Sequence, residues 1–450
     1  MIALRHFIRY LIGAAVGLAL LGVVGAPSAQ QRTQVEFWHG LPMPLGGILE
    51  QIVADFNASQ TQYEVKASYK GGYPETMVGA IAAFRAGNAP HIVQMFEVGT
   101  ATMMAAARGA IKPVHELMRE AGVPFDPNAY LPAVRGYYSL PDGRMMSMPF
   151  NSSTAIMFYN KDAFKKAGLD PNKPPQTWPE LREAARKIRA ANAAPCGFST
   201  AWPTWTQFEQ FSAIHNVPLA TKANGIEGMD AELRINSPVH VRHVQTLIDM
   251  QKEGSFKYGG RDAAGDALFP SGECAIIHAS SGVRARIIRE GKFEWGAAML
   301  PYWPDVPGAP KNSIIGGASF WVMTAPNRRP EEYKAVAEFF RFISRPEVVA
   351  KWHTDTGFLP ITFAGFERVK GAGYYQQNPG ADIPFLQLTR TAPGENSRGL
   401  RLGNMPEIRN IIQEELEKAF QGQQTAQQAL DNAVQRGNVV LRAFERANRP

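Results

Sequence analysis

Three short segments of small polar residues and glycines adjoin apolar, strand-like runs of the sequence. Residues of these types are suited to binding an anion. The segments are Asn151–Ser153, Ser280–Ser281 and Gly316–Ala318. Hydroxyl groups and backbone amides donate hydrogen bonds without carrying charge, and the helix predicted after Ser281 adds unpaired N–H groups at the positive end of its dipole. Because a helix cap or a turn explains any one segment alone, the prediction of an anion site rests on their number.

The catalytic and metal-binding patterns that the sequence does not contain narrow its function. It has no G-x-S-x-G elbow, no G-x-x-x-x-G-K-[ST] phosphate loop, no H-E-x-x-H and no G-x-G-x-x-G. His240 and His243 lie three residues apart on a predicted helix, but no third ligand accompanies them, so we interpret them as part of a solvent-facing side. We predict no catalytic residue, no metal and no cofactor.

The elements that must position these segments alternate between strand and helix. From Val35 to Phe96 the order is strand, helix, strand, helix, strand, which predicts a parallel sheet covered by helices. The pattern restarts near Phe150, and two helices over 405–420 and 425–446 close the chain. With 450 residues, 45% of them hydrophobic, the chain is too long for one sheet, so we predict two α/β lobes.

The carboxyl ends of the predicted strands mark the ligand crevice, because open α/β sheets bind ligands outside those ends. In the first part of the chain the ends are His39–Gly40, Gly71–Tyr73 and Glu97. Trp202 and Trp205 follow a later strand, where core packing and a ligand-facing wall are equally consistent with the sequence.

The first 30 residues have the composition of an export signal. Arg5 and Arg9 precede an apolar run from Leu11 to Gly25, and small residues follow it up to Ala29. Since the run is shorter than the roughly 20 residues of a membrane-spanning helix, we predict a signal peptide over 1–29 and a soluble mature protein. Its cleavage lowers the formal net charge of +7 by two. No cluster of Lys and Arg indicates nucleic-acid binding.

The sequence contains two cysteines, Cys196 and Cys274, and both lie in apolar, strand-like runs. In an oxidising compartment they can form a disulfide, but two buried thiols fit the same sequence equally well. The sequence leaves both alternatives open.

Longer runs of the sequence resemble the periplasmic glycerol-3-phosphate-binding proteins of bacterial ABC importers, in order along essentially the whole mature chain. These runs are Phe37–His39, Tyr69–Gly71, Ile81–Arg85, Glu97–Met104, Pro149–Thr154, Ile315–Ser319 and Gly399–Pro406. The run Tyr159–Phe164 is similar to the wider signature of family 1 extracellular solute-binding proteins, which sugar binders share. The resemblance implies a type II periplasmic binding protein fold, with a sheet flanked by helices in each lobe and a ligand cleft between the lobes.

On this resemblance we expect residues 30–148 and 313–362 to form the N-terminal lobe, and residues 149–312 and 363–450 the C-terminal lobe. The ligand contacts that the resemblance implies are Tyr73, Glu97, Ser153, Ser281, Gly317 and Arg401, with Trp202 and Trp205 as an aromatic wall. The family has a further tyrosine where this chain has Phe358, so one phosphate donor is absent.

These residues suggest separate roles in holding a glycerol phosphate. Arg401 is expected to bind the phosphate with its planar fork of donors, and Ser153, Ser281 and the Gly317 N–H to complete the shell, with Tyr73 donating from the opposite wall. Glu97 cannot face a phosphate, so we expect it to accept hydrogen bonds from glycerol hydroxyls.

The resemblance implies periplasmic binding of sn-glycerol 3-phosphate, or of a glycerophosphodiester such as glycerophosphocholine, and delivery to an inner-membrane ABC permease. We expect a monomer that binds a small phosphate ester and no nucleic acid. One alternative is a secreted glycerophosphodiester hydrolase, which needs a nucleophile or a metal cluster that the sequence does not display. Another is a sugar-binding protein of the same broad family, which leaves Arg401 without a purpose.

Overall fold

The strands of the computed structural model form two sheets, which confirms the predicted two-lobed α/β fold. The structure describes residues 31–105 and 109–448, so the predicted signal peptide over 1–29 lies outside it. In chain order the strands are β1 Thr33–His39, β2 Tyr63–Tyr69, β3 Ile92–Phe96, β4 Ile111–Lys112, β5 Met148–Ser153, β6 Ala155–Asn160, β7 Cys196–Thr200, β8 Phe256–Tyr258, β9 Cys274–Ser280, β10 Trp295–Ala298 and β11 Gly316–Met323.

The sheet of the N-terminal lobe has the strand order β2-β1-β3-β11-β4, with β5 also paired to β11. Strands β1, β2 and β3 run parallel, as their alternation with helices predicts, and β11 joins them antiparallel after the chain returns from the other lobe. Every residue of β3 is buried, because this strand lies between two others under helices, whereas the edge strand β2 is partly exposed. The sheet of the C-terminal lobe has the order β10-β6-β9-β7-β8.

The chain crosses from the first sheet to the second between β5 and β6, five residues later than the predicted boundary at 148. The reason is the register of β5, which pairs antiparallel with β11 so that Ser152 lies opposite Gly317 and Ser153 opposite Gly316. Two of the predicted hydroxyl and glycine segments are therefore neighbours on the N-terminal sheet. The return crossing lies between β10 and β11.

Helices cover both sheets. Around the N-terminal sheet lie Leu45–Ser59, Tyr73–Arg85, Thr100–Ala105, Val114–Glu120, Pro132–Tyr138, Pro330–Ile343 and Pro346–Thr356. The C-terminal lobe contains Lys161–Lys166, Trp178–Ala190, Gln210–Ile214, Pro238–Lys252, Arg284–Glu290, Met405–Phe420 and Ala426–Asn448. Between Pro346–Thr356 and Met405–Phe420 the chain forms the short helices Phe363–Gly371, Tyr374–Gln377 and Ile383–Leu388. The first of these packs against Pro346–Thr356. Within residues 31–105 and 109–448, no helix has the length and apolar character that crossing a membrane requires.

The prediction that His240 and His243 face solvent is wrong, because both side chains are fully buried. They lie on the inner side of the helix Pro238–Lys252, where the His243 ring stacks on Phe211 with 4.2 Å between centroids. Both ring nitrogens of His240 have hydrogen-bond partners, Ser212 at 2.8 Å and Ser237 at 2.7 Å, and Nε2 of His243 bonds to Gln207 at 3.0 Å. Burial lowers the pKa of His240 to about 3, so it packs as a neutral core residue.

Cys196 and Cys274 form a disulfide. They are register partners on the parallel strands β7 and β9, with 4.4 Å between their Cα atoms, although 78 residues separate them in the sequence. The register of the two strands therefore brings the cysteines together as a disulfide, and not as the two buried thiols that the sequence also allowed.

Candidate ligand-binding site

A cavity of about 320 Å³ lies between the two lobes. That volume lies in the range of sites for small molecules. The N-terminal lobe contributes the loop Gly40–Leu45, the start of the helix Tyr73–Arg85 and the end of β3, and the C-terminal lobe contributes the segments around Trp202 and Ser280.

Most of the residues predicted to contact a ligand line this cavity: Tyr73, Glu97, Ser153, Trp202, Trp205, Gly317 and Phe358. The carboxyl ends of the first three strands meet there, since Gly40 follows β1, Gly72 comes three residues after β2, and Glu97 follows β3. The rule that places ligands outside strand ends thus locates the N-terminal wall of the cavity.

Aromatic rings from both lobes form one wall. Tyr73 lies 5.8 Å from Phe96 in a stacked arrangement and 6.2 Å from Trp202 across the cavity, measured between ring centroids. Trp202 has a left-handed backbone with φ of 48°, and Trp205 begins a π-helical turn over Trp205–Glu209. Trp205 lies so close to Gly316 that a Cβ atom there would be 2.2 Å from its ring, so the glycine makes room for the indole.

A chain of amide groups orients the Tyr73 hydroxyl. Asn151 Nδ2 donates to Tyr73 Oη at 2.8 Å, and Gln94 Nε2 donates to Asn151 Oδ1 at 2.8 Å. The N–H of Gly40 in turn donates to Gln94 Oε1 at 2.9 Å. Burial raises the pKa of Tyr73, so the hydroxyl stays protonated and its own hydrogen remains available to a ligand.

Two of the charged groups at the wall of the cavity, Glu97 and Arg409, form an ion pair between the lobes. Arg409 Nη2 donates to Glu97 Oε1 at 2.6 Å, and both side chains are at most 5% exposed. Glu209, at the end of the π-helical turn, accepts hydrogen bonds from Nε and Nη2 of the same guanidinium, each at 2.7 Å. Burial raises the pKa of Glu97 to about 7, against the lowering effect of Arg409.

Sequence reasoning missed Arg409, which lies on the helix Met405–Phe420. A signal was present, because this arginine stands between Ile408 and the pair Ile411 and Ile412, on the side of the helix that an amphipathic pattern assigns to the core. A charged residue in such a position needs a buried partner. The family-like run Gly399–Pro406 ends three residues before it and directed attention to Arg401 instead.

The structure does not bring Arg401 to the cavity. Arg401 Nη2 donates to the backbone oxygens of Tyr137 at 3.0 Å and Ser139 at 3.2 Å, at the end of a helix in the N-terminal lobe. The Arg401 N–H donates to the Asn224 carbonyl at 2.9 Å, which fixes the backbone of the loop that carries it. Arg401 therefore connects the lobes beside the cavity rather than lining it.

Gly317 and Ser281 are also predicted ligand contacts, and their surroundings differ. Gly317 has φ of 85°, and a Cβ atom there would lie 1.9 Å from the Asn151 carbonyl, so this position admits only glycine. Ser281 is buried behind the cavity wall that its neighbours Ser280 and Gly282 line, and its Oγ has no hydrogen-bond partner among the described residues.

Phe358 lines the cavity and belongs to the hydrophobic core of the N-terminal lobe. Its ring stacks on Trp352 with 5.5 Å between centroids. The same ring touches Gly282, where a Cβ atom would lie 2.9 Å from it. The side chain thus fills the place that the family's tyrosine is expected to take.

Further charged residues of the C-terminal lobe, Asp262, Asp266 and Arg286, also line the cavity and were not predicted. Burial raises the pKa of Asp266 to about 7, and Arg286 opposes that shift. In the part of the chain that the structure describes, no group of three or more His, Cys, Asp or Glu residues is placed to hold a metal ion.

The sequence of this chain matches a known protein family and is similar to named relatives. A family model described as bacterial extracellular solute-binding protein matches residues 42–350. The chain is 48% identical over 423 residues to the sn-glycerol-3-phosphate-binding periplasmic protein UgpB of Yersinia pseudotuberculosis, covering 94% of this chain and 95% of that protein. It is 47% identical over 450 residues to the protein of the same name from Salmonella paratyphi A, with both chains fully covered.

A solved structure is similar to the whole fold. The crystal structure of UgpB from Mycobacterium tuberculosis in complex with glycerophosphocholine superimposes with a TM-score of 0.75, covering 92% of this chain and 99% of that one. At 22% sequence identity this likeness supports the two-lobed architecture.

Proposed function

Because this chain belongs to the bacterial extracellular solute-binding proteins, we propose that its cavity binds sn-glycerol 3-phosphate and glycerophosphodiesters such as glycerophosphocholine. The relatives at 47–48% identity are named as periplasmic binding proteins for the first of these compounds. A ligand held between two lobes favours their closure, and the closed form then delivers it to the permease of an ABC importer.

The observation that carries this proposal is the pairing of two kinds of polar group in one cavity. Uncharged donors at Ser153 and Gly317 lie on neighbouring strands, and a buried charged pair, Glu97 with Arg409, lies at the end of β3. A glycerol phosphate has a matching polarity, with an anionic group at one end and hydroxyl groups at the other. The wall of Trp202 and Trp205 suits the carbon chain between them and excludes water.

We assign roles within the cavity on this basis. Ser153 and the Gly317 N–H donate to the phosphate, and Tyr73 donates from the opposite wall. Ser281, which is buried behind the cavity wall, supports these donors without touching the ligand. Glu97 accepts hydrogen bonds from the glycerol hydroxyls. Arg409 lines the cavity, as does Arg286, whereas Arg401 does not.

The setting of this activity follows from the family. We propose that residues 1–29 are removed on export, that the mature protein acts as a monomer in the periplasm, and that its partner is an inner-membrane permease. It binds no nucleic acid and catalyses no reaction, because its task is completed when the ligand is released unchanged.

Calorimetry on the mature chain tests the proposal. Titration with sn-glycerol 3-phosphate and with glycerophosphocholine should show one site per chain, whereas maltose should give no heat of binding. Prolonged incubation with glycerophosphocholine should leave the diester intact. Release of choline or glycerol would support the hydrolase instead, and binding of maltose alone would support a sugar-binding protein.

A further inference from the structure

We propose that His353 is a positioning residue for the phosphate donors of the cavity, because it fixes the segment Gly357–Leu359 against which the donor segments of both lobes rest. The inference rests on the proposed function, which places a phosphate at these donors. His353 is 2% exposed and does not line the cavity. It therefore acts through the segment and not on the ligand.

The segment Gly357–Leu359 is bonded to the strand that carries the phosphate donor of the N-terminal lobe. The Leu359 N–H donates to the Ser152 carbonyl at 2.8 Å. Ser152 precedes the donor Ser153 and lies opposite Gly317 in the register of β5 and β11. A shift of the segment would therefore move the donors of this lobe.

In the C-terminal lobe the same segment packs closely against the turn Ser280–Gly282. A Cβ atom on Gly282 would lie 2.9 Å from the Phe358 ring, and a Cβ atom on Gly357 would lie 2.6 Å from the Ser281 carbonyl oxygen. Gly357 also has φ of 86°, a left-handed conformation that glycine adopts without strain. The segment is thus in contact with the donor segments of both lobes.

His353 holds this segment through its backbone and through its side chain. At the end of the helix Pro346–Thr356, the His353 carbonyl accepts from the Gly357 N–H at 2.8 Å. The ring Nδ1 donates to the Phe358 carbonyl at 2.5 Å, since a carbonyl oxygen can only accept. One buried histidine therefore fixes two successive residues of the segment.

The surroundings of the ring select the tautomer that this contact requires. With the proton on Nδ1, Nε2 is an acceptor, and Tyr375 Oη donates to it at 3.1 Å. Burial lowers the pKa of His353 to about 4, although its bond to Phe358 opposes the shift. The ring is therefore neutral near pH 7, and both of its nitrogens keep the roles that these contacts need.

The test uses two substitutions that place an amide nitrogen at different positions of the lost ring. The amide nitrogen of asparagine takes the place of Nδ1, whereas that of glutamine reaches the place of Nε2. His353→Asn therefore keeps a donor for the Phe358 carbonyl, and His353→Gln does not. Packing alone predicts the opposite order, because glutamine is closer to histidine in volume and leaves the smaller cavity.

Calorimetry on the full mature chain, with sn-glycerol 3-phosphate as the probe, should follow the donor and not the volume. We expect His353→Gln to weaken binding about tenfold, the scale of one lost hydrogen bond. We expect His353→Asn to weaken it by less than about threefold. Thermal unfolding must show that both variants are folded at the temperature of the titration.

The matched control is His240→Gln. His240 is another fully buried histidine with hydrogen-bond partners at both ring nitrogens, and it lies in the core of the C-terminal lobe. This variant should lower the unfolding temperature and leave the affinity unchanged, because His240 does not contact the segment Gly357–Leu359.

A second pair of variants serves if either substitution of His353 prevents folding. The Thr356 hydroxyl accepts from the Phe358 N–H at 3.1 Å, so it holds the same residue from the other side. Thr356→Val removes this acceptor and keeps the volume, whereas Thr356→Ser keeps the acceptor. The valine variant must then bind sn-glycerol 3-phosphate more weakly than the serine variant, and equal affinities would overturn the inference.

The outcomes separate this inference from the proposed function. If the unmodified chain binds sn-glycerol 3-phosphate and His353→Gln binds it at least as tightly as His353→Asn, the histidine serves packing, and only the inference is wrong. A loss of affinity in His240→Gln as great as in His353→Gln would overturn it too, because the affinity would then follow the stability of the protein. If the unmodified chain does not bind sn-glycerol 3-phosphate, the proposed function itself fails.

Discussion

Arg401 and Arg409 lie eight residues apart, one in the loop before the last two helices and the other on the first of those helices, yet their surroundings differ in kind. Arg401 donates to two backbone carbonyls of the N-terminal lobe, at 3.0 and 3.2 Å. Arg409 is enclosed by two carboxylates and lines the cavity. The comparison teaches that the partners around an arginine, and not its presence in a family-like run, decide whether it can serve a ligand.

The largest effect is expected from Arg409→Ala. It removes a donor from the cavity and leaves Glu97 and Glu209 buried without their cation, and truncating one partner of a desolvated charge pair costs about 2 to 5 kcal/mol. We expect calorimetry to show a loss of affinity for sn-glycerol 3-phosphate of about a hundredfold or more. Circular dichroism must show that the variant is folded, and Arg409→Lys, which keeps the charge without the fork, should recover part of the affinity.

Arg401→Ala should affect stability more than binding. It removes two hydrogen bonds that connect the lobes, and each bond from a charged donor contributes about 1.5 to 3 kcal/mol at most. We expect thermal unfolding to shift to lower temperature while the affinity changes less than about tenfold. The control is Arg398→Ala, whose exposed pair with Glu227 should matter little to either measurement. A loss of affinity as great as that of Arg409→Ala would erase the distinction between the two arginines.

The dependence of binding on pH should distinguish the two surroundings, because only Arg409 is paired with a carboxyl group that titrates near neutrality. Burial raises the pKa of Glu97 to about 7, and only its ionised form accepts two hydroxyl bonds. The affinity for glycerophosphocholine, whose diester does not titrate in this window, should fall about tenfold from pH 8 to pH 6, as Glu97 takes up a proton.

A matched pair of variants identifies the group that causes this change. Asp266 also lines the cavity, and burial raises its pKa to about 7. Asp266→Asn should keep the pH dependence, whereas Glu97→Gln should remove it. The reverse result would assign the titration to Asp266 and take Glu97 out of the contact with glycerol.

The smallest effect is expected from Phe358→Tyr. The change adds a hydroxyl donor to the cavity wall beside Gly282, and one neutral hydrogen bond contributes about 0.5 to 1.5 kcal/mol. The affinity for sn-glycerol 3-phosphate should rise about threefold to tenfold, and the affinity for the bulkier diester, whose phosphate is esterified, should rise by less. An unchanged ratio between the two ligands in calorimetry would place the new hydroxyl away from the phosphate.

The parts of the fold that follow from local pattern could be predicted from the sequence. The alternation of strands and helices identified two sheets, and the rule of strand ends placed Glu97 at the cavity before any contact was known. The hydroxyl and glycine segments at Ser153 and Gly317 also lie together, because β5 and β11 are paired. These features depend on periodicity and on chain order, which a single sequence records.

What could not be predicted depends on which side chains meet across the fold. The burial of His240 and His243 follows from the packing of their helix on Phe211, and the bond between Cys196 and Cys274 follows from the register of β7 and β9. The choice between Arg401 and Arg409 likewise depends on carboxylates that are 200 or more residues away in the chain.

The most direct test of the central claim is a crystal structure of the mature protein with sn-glycerol 3-phosphate. We expect the ligand in the cavity between the lobes, with its phosphate beside Ser153 and Gly317 and its hydroxyl groups within hydrogen-bond distance of Glu97. A phosphate bound against Arg401, or a ligand outside this cavity, would contradict the account.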